Sequence, residues 1–191
     1  MRGSLSANAP ACAGAQSGTL RSGVRRRIHL RTHPSRRTSI PMAKRILTPS
    51  EIDLARSVFG SAIDYAAARI ANHKWAFFQP KRVTMAPTGT IHFHPDSHAY
   101  CEDFGCASLS LQGHFIHEMT HIWQHQAGIC LPLARHPFCR YHYTIKPGWP
   151  LRRYGLEQQA EIVRHAFLLR RGATVPGAPD ARQYESILPF R

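Results

Sequence analysis

Acidic residues are scarce in this chain: 11 Asp and Glu stand against 25 Lys and Arg, giving a formal net charge of +14 over 191 residues. The shortage is uneven. Residues 1–41 hold eight arginines and no acid, whereas the remainder sets 17 basic residues against 11 acidic ones. No basic stripe interleaved with aromatics stands out in that remainder, so the charge does not mark specific nucleic-acid recognition. Long apolar runs are also lacking; nothing approaches the ~18 residues of a membrane span. The five cysteines, Cys12, Cys101, Cys106, Cys130 and Cys139, are odd in number and form no C-x-x-C. That indicates neither a zinc ribbon nor a paired disulfide set. Free thiols in a reducing cytoplasm are expected, with a Cys101–Cys106 bridge as the alternative. Internal repeats are absent. What is present is a hydrophobic fraction of 43%, enough for one core, and a length that suits one domain plus a tail.

Residues 1–41 are rich in Arg, Ser, Ala and Gly without hydrophobic period, the composition of a disordered extension. Arg25-Arg26-Arg27 resembles a twin-arginine signal, but Arg31, His33, Arg36 and Arg37 stand where the apolar run belongs. An organellar transit peptide has a similar composition. The simplest expectation is that the functional chain begins at Met42 and that residues 42–191 form the domain.

That domain reads as α+β. Thr48-Pro49-Ser50-Glu51 opens a helix, with Thr48 as N-cap, Pro49 as first helical residue and Glu51 as capping-box partner. It runs to about Phe59, and Gly60 stops it. A short strand is expected over 68–71. A hairpin follows, 82–85 with 90–94, turning at Pro87-Thr88-Gly89. Ile91 and Phe93 point one way; His92 and His94 point the other, as a polar strand face in preference to a second metal site. Residues 96–105 should form a loop over the hairpin or the site. A long helix spans 108–126, with Gly128 as its stop. Residues 129–154 make a proline-rich irregular connection, the kind of loop that is usually functional. A second long helix runs from about 155 to 171, and Asp180 caps a last short one.

The long helix carries His117-Glu118-Met119-Thr120-His121, the pattern H-E-x-x-H. Positions four apart share a helix face, so His117 and His121 can close on one ion. Zinc is expected, because imidazole suits it and its geometry is undemanding. Glu118 is placed to take a proton from water, not to bind the metal. A catalytic site needs a third protein ligand and an open position. The extended pattern with Gly at 124 and His at 127 is excluded by Gln124 and Ala127. His125 lies about 12 Å from His117 along a helix axis, too far to share an ion with it. Two sources stay open on spacing alone: a loop histidine, His136 or His142, and a carboxylate of Glu157-Gln158-Gln159-Ala160-Glu161. The carboxylate is preferred. Glu157 would reach the metal, and Glu161, one turn on, would accept the free N–H of a ligand histidine.

H-E-x-x-H followed after tens of residues by E-x-x-A-[DE] resembles the gluzincin metallopeptidases. More narrowly, HEMTHIWQHQ together with YGLEQQAEIV (Tyr154–Val163) is similar to bacterial vgr-related proteins, zincin-like proteins associated with contractile secretion systems and polymorphic toxins. The resemblance covers about residues 44–190. It implies a small zincin-like domain with an N-terminal helix, a short sheet or hairpin, the H-E-x-x-H helix and a second ligand-bearing helix. One Zn2+ would be held by His117, His121 and Glu157, with Glu118 as general base and Glu161, where many gluzincins have Asp, behind a ligand. The implied activity is hydrolysis of a peptide or protein substrate by a monomer. Tyr143 and His142 are the expected oxyanion donors, with Tyr154 and His165 as further candidates. The strand ending at His94 would offer an edge to an extended substrate. The competing expectation is a non-catalytic module that binds a secretion-apparatus or toxin partner. Its place would be the bacterial cytoplasm, or outside it by a route without a cleavable signal.

Overall fold

The computed structural model describes residues 44–134 and 141–190. The expectations for residues 1–41, His136 and Cys139 lie outside the described residues. Strand β1 (Arg45–Ile46) leads into helix α1 (Pro49–Phe59). The capping box forms: Thr48 Oγ1 accepts from the Glu51 N–H, and the Glu51 carboxylate accepts from the Thr48 N–H at 2.9 Å. Glu51 does more than cap. Its buried carboxylate accepts two hydrogen bonds from Arg45, both at 2.8 Å, and one from the Phe104 N–H at 3.1 Å. One side chain thus ties β1, the start of α1 and the short 3-10 turn Phe104–Cys106 together.

That tie explains why the segment before α2 does not cover the site. Asp103 accepts from Ser50 Oγ at 2.6 Å, and Phe104 stacks between Phe93 and Phe115 with centroid separations of 5.4 and 5.3 Å. The segment is drawn under α1. The approach there is close: a β-carbon at Gly105 would lie 2.5 Å from Ser50 Cβ.

Strands β2 (Arg69–Ala71) and β3 (Thr90–His92) complete a three-stranded sheet of order β1-β2-β3, antiparallel between the first pair and parallel between the second. The strand expected over 68–71 is present. The expected hairpin is not; it shrinks to one antiparallel bridge, Met85 with His92. The Val83 backbone accounts for this: its N–H goes to the Pro80 carbonyl at 3.1 Å and its carbonyl accepts from buried Gln79 Nε2 at 2.8 Å, so the pair that would extend the bridge is used elsewhere. The Phe93 N–H, on the opposite side of β3, continues the pairing with β2 by donating to Ala71 at 2.8 Å. His92 and His94 are buried, contrary to the polar face expected. His92 Nδ1 lies 3.3 Å from the His73 carbonyl, and His94 Nδ1 accepts from the Asp96 N–H at 3.0 Å. Among the described residues neither joins a group able to hold a metal.

Helix α2 (Leu109–Gln126) starts at the Ser108 cap and is followed by Gly128 at φ 87°. After the short α3 (Leu131–Ala134) come α4 (Leu156–Arg170) and α5 (Ala181–Glu185). α2 and α4 pack antiparallel: a β-carbon at Gly113 would meet Leu168 at 3.0 Å, while Gln124 at the other end reaches the Leu156 carbonyl at 3.1 Å. Phe115, Ile116, Met119 and Ile122 of α2 are fully buried, each worth about 1.5–3 kcal/mol relative to exposure. α2 is therefore the centre of the core, and its polar residues are held there by the same packing. Cys101 and Cys130 are free thiols, and no Cys101–Cys106 bridge forms.

Candidate metal centre

Two of those polar residues meet one from α4 at the interface of the two helices. His117, His121 and Glu157 are buried, and their ligand atoms all lie within 4.8 Å of one another. Glu157 Oε2 is 3.3 Å from His117 Nε2 and 3.4 Å from His121 Nε2. A tetrahedral ion with bonds of about 2.0–2.1 Å spaces its donors roughly 3.3–3.4 Å apart, so this donor set fits one metal ion.

The hydrogen bonds behind the rings fix which nitrogens face inward. His117 Nδ1 lies 2.8 Å from Glu161 Oε1. His121 Nδ1 lies 2.8 Å from Gln124 Oε1. Gln124 cannot be turned the other way, since its Nε2 donates to the Leu156 carbonyl and to Gln159 Oε1, at 3.1 and 3.0 Å. Gln159 Nε2 in turn donates to the Tyr154 carbonyl at 2.7 Å. His121 thus donates Nδ1–H to Gln124 and turns Nε2 to the centre, and the ion-pair distance to Glu161 sets the His117 ring the same way round. Burial alone would push His117 down, but Glu157 and Glu161 outweigh it and hold its pKa up at about 9. Burial would raise Glu161; His117 and His165 outweigh that and hold it well below the usual carboxylate range.

Glu118 lies beside this group. Its Oε1 is 3.9 Å from His114 Nε2, and its Oε2 is buried without a hydrogen-bond partner among the described residues. His114, whose pKa burial lowers, also bonds Thr84 Oγ1 at 2.8 Å. A recess of about 180 Å³ opens here, lined by Arg82, Val83, Thr84, His114, Glu118 and Tyr141 among others. The Tyr141 ring faces His117 at 6.4 Å between centroids, 24° from parallel.

The other expected site residues lie elsewhere. Tyr143 bonds His165 Nδ1 at 2.6 Å and the Tyr184 hydroxyl at 2.8 Å; burial and Tyr184 push its pKa up, so it keeps its proton. His165 Nε2 reaches Glu161 Oε2 at 3.2 Å, which wires Tyr143 to the back of Glu161. The side chain of His142 is exposed, and its carbonyl accepts from Gln158 at 2.6 Å. Both line a neighbouring cavity of about 560 Å³ that shares Tyr141 and Glu161 with the recess beside Glu118. The Tyr154 hydroxyl accepts from the Lys146 N–H at 2.9 Å. His125 lies against Gly89 and not in the centre. The edge beside the recess belongs to 82–84; the far side of β3 is covered at His92 by Met85. Sequence reasoning missed Gln124, Gln159, His114 and Tyr141. The three-residue helical spacing of His114 from His117 was a usable signal; nothing in the sequence singles out the two glutamines or Tyr141.

The fold and site together define a small α+β domain with a buried His-His-Glu group between two antiparallel helices. No protein-family model matches the sequence. The chain is 42% identical over 134 residues, 66% of its length, to the type VI secretion system spike protein VgrG2b of Pseudomonas aeruginosa. The match spans only 13% of that much longer protein. Against the structure of the effector domain of Pseudomonas aeruginosa VgrG2b the TM-score is 0.67 at 37% identity, covering 76% of this chain and 84% of that domain. The chain belongs to the VgrG2b effector-domain family.

Proposed function

We propose that the chain is a zinc-dependent peptidase acting on a peptide or protein substrate. The observation that carries this reading is Glu118. A buried carboxylate oxygen without a partner is costly, about 1–3 kcal/mol or more, and a structural metal site has no use for one. Three protein donors and an adjoining recess also suit a site that keeps a position open for reaction. The two imidazoles and one carboxylate suit zinc. Zinc held by His117, His121 and Glu157 would supply Lewis acidity, bringing the pKa of water towards about 7 and polarising the scissile carbonyl. Glu118 Oε2 takes the proton from the attacking water and delivers it to the leaving amine. Glu161 and Gln124 hold the two rings still throughout. For the oxyanion, His114 and Tyr141 stand ahead of Tyr143 and His142, because they line the same recess as Glu118.

Kinship with a domain of a secretion spike supports association with a secretion apparatus and export by that route without a cleavable signal. Among the described residues no helix is long and apolar enough to cross a membrane.

The test is a peptide-library cleavage screen with zinc analysis on wild type and Glu118→Gln. Wild type should cleave, and the variant should keep one zinc and lose cleavage by at least about a hundredfold. Equal cleavage by both would remove Glu118 as base. Zinc bound without cleavage by either would leave a partner-binding module of the secretion apparatus.

A further inference from the structure

Residues 73–83 read HKWAFFQPKRV, and they break the usual rule for surface loops. Phe77 is 90% exposed, Phe78 59% and Trp75 40%. Phe78 meets both other rings edge to face, Phe77 at 5.2 Å and Trp75 at 6.5 Å between centroids. They do not belong to a slack loop. Buried Gln79 sits at the base, accepting from the Trp75 N–H at 2.8 Å and donating to Val83 and His92. The aromatic tip is thus displayed on a pinned scaffold, and its ordering cost is met by folding.

The surroundings are cationic. The loop carries Lys74, Lys81 and Arg82 and no acid; Lys81 pairs with Asp96 at 2.8 Å. A projecting apolar tip with a basic collar matches a surface that is anionic outside and apolar beneath. Lys and Arg stems can lie along such a surface with their heads in the anionic layer, while Phe and Trp rings sit at its apolar boundary. We propose that this loop docks the domain on an anionic lipid surface, with Phe77 and Phe78 inserted and Lys74 and Arg82 on the headgroups. Because 82–84 also line the recess beside Glu118, docking sets that recess next to the lipid surface. The proposal stands independently of the peptidase reading.

The test is co-sedimentation of the full chain with vesicles of phosphatidylcholine alone and of phosphatidylcholine with 30% phosphatidylglycerol. Half-molar salt is included to screen the arginines of residues 1–41. Wild type should bind the mixed vesicles in preference to the neutral ones. F77S/F78S should lose at least about tenfold in partitioning at either salt, as expected for two rings returned to water. K74Q/R82Q should lose binding at low salt and lose little more at high salt. Thermal melting checks that the variants fold; both sites are exposed. Equal partitioning of F77S/F78S and wild type overturns the proposal. So does failure to bind either vesicle, and a single-stranded oligonucleotide retained through the same two phenylalanines would then mark a nucleic-acid surface.

Discussion

Gln124→Leu removes the acceptor behind His121 while keeping the size of the side chain. His121 can then turn or change tautomer, and metal affinity should fall about 10–100-fold, read by competition with a chromophoric chelator. Unchanged affinity would show that packing alone orients the ring. Glu157 and Glu161 separate in the same assay. Glu157→Ala loses a donor 3.3–3.4 Å from both imidazole nitrogens and should purify largely without metal. Glu161→Ala keeps all three donors while losing the contacts with His117, Arg164 and His165, and should load fully at high zinc, then surrender it sooner to a chelator. Equal metal content in Glu157→Ala and wild type would return the third position to His142 or His136. The carboxylate pair was readable from sequence because helical spacing dictates which residues share a face. The amides were not, since glutamine announces no chemistry until its partners are known. Tyr141 reaches His117 through the course of a loop, which no periodicity encodes.

At the scale of elements, the Glu51 cluster is the most exacting. Glu51→Ala leaves Arg45 and the Phe104 N–H without their acceptor and should cost about 3 kcal/mol, seen as a lowered denaturation midpoint. Asp53, whose pair with Arg56 is 3.7 Å and largely exposed, should cost under about 0.5 kcal/mol when changed to Ala. Gly105→Ala drives a methyl into Ser50 and should destabilise comparably. β3 adds a pH dependence. Burial, with His73 and Lys44 nearby, lowers His92 to about 4. The unfolded chain therefore takes this proton first as pH falls, and stability drops between about 6.5 and 4, then levels for this group. His92→Gln should flatten that part of the profile; an identical slope would assign it to other groups. The helices were legible because caps and stops are local: Thr48, Gly60, Gly128 and Asp180 sit where they were expected. The sheet was largely illegible because strands of two or three residues are set by partners distant in sequence. Pairing β2 with β3 in parallel, and Pro80 and Gln79 taking up the Val83 N–H and carbonyl, undid the hairpin.

For the whole molecule, the metal group joins the two helices that build the core. An ion bound only by the folded state stabilises it by about 2.7 kcal/mol at a free concentration one hundred times Kd. Removing it should lower the melting temperature of wild type and leave that of Glu157→Ala unmoved. A wild-type melting curve indifferent to chelator would mean that the ion binds elsewhere. The burial of the donors also governs tempo. His121 is inaccessible to solvent and Glu157 nearly so, and the adjoining recess of about 180 Å³ admits water more readily than a hexadentate chelator. A chelator can meet the open position of a seated ion through the recess, but the three buried donors let go only when the helices part. Its loss should follow first-order kinetics with a rate that stops rising as chelator is increased, and mild denaturant should quicken it. The domain would then exchange metal on the clock of its own opening, and a preparation would carry whichever ion it folded around.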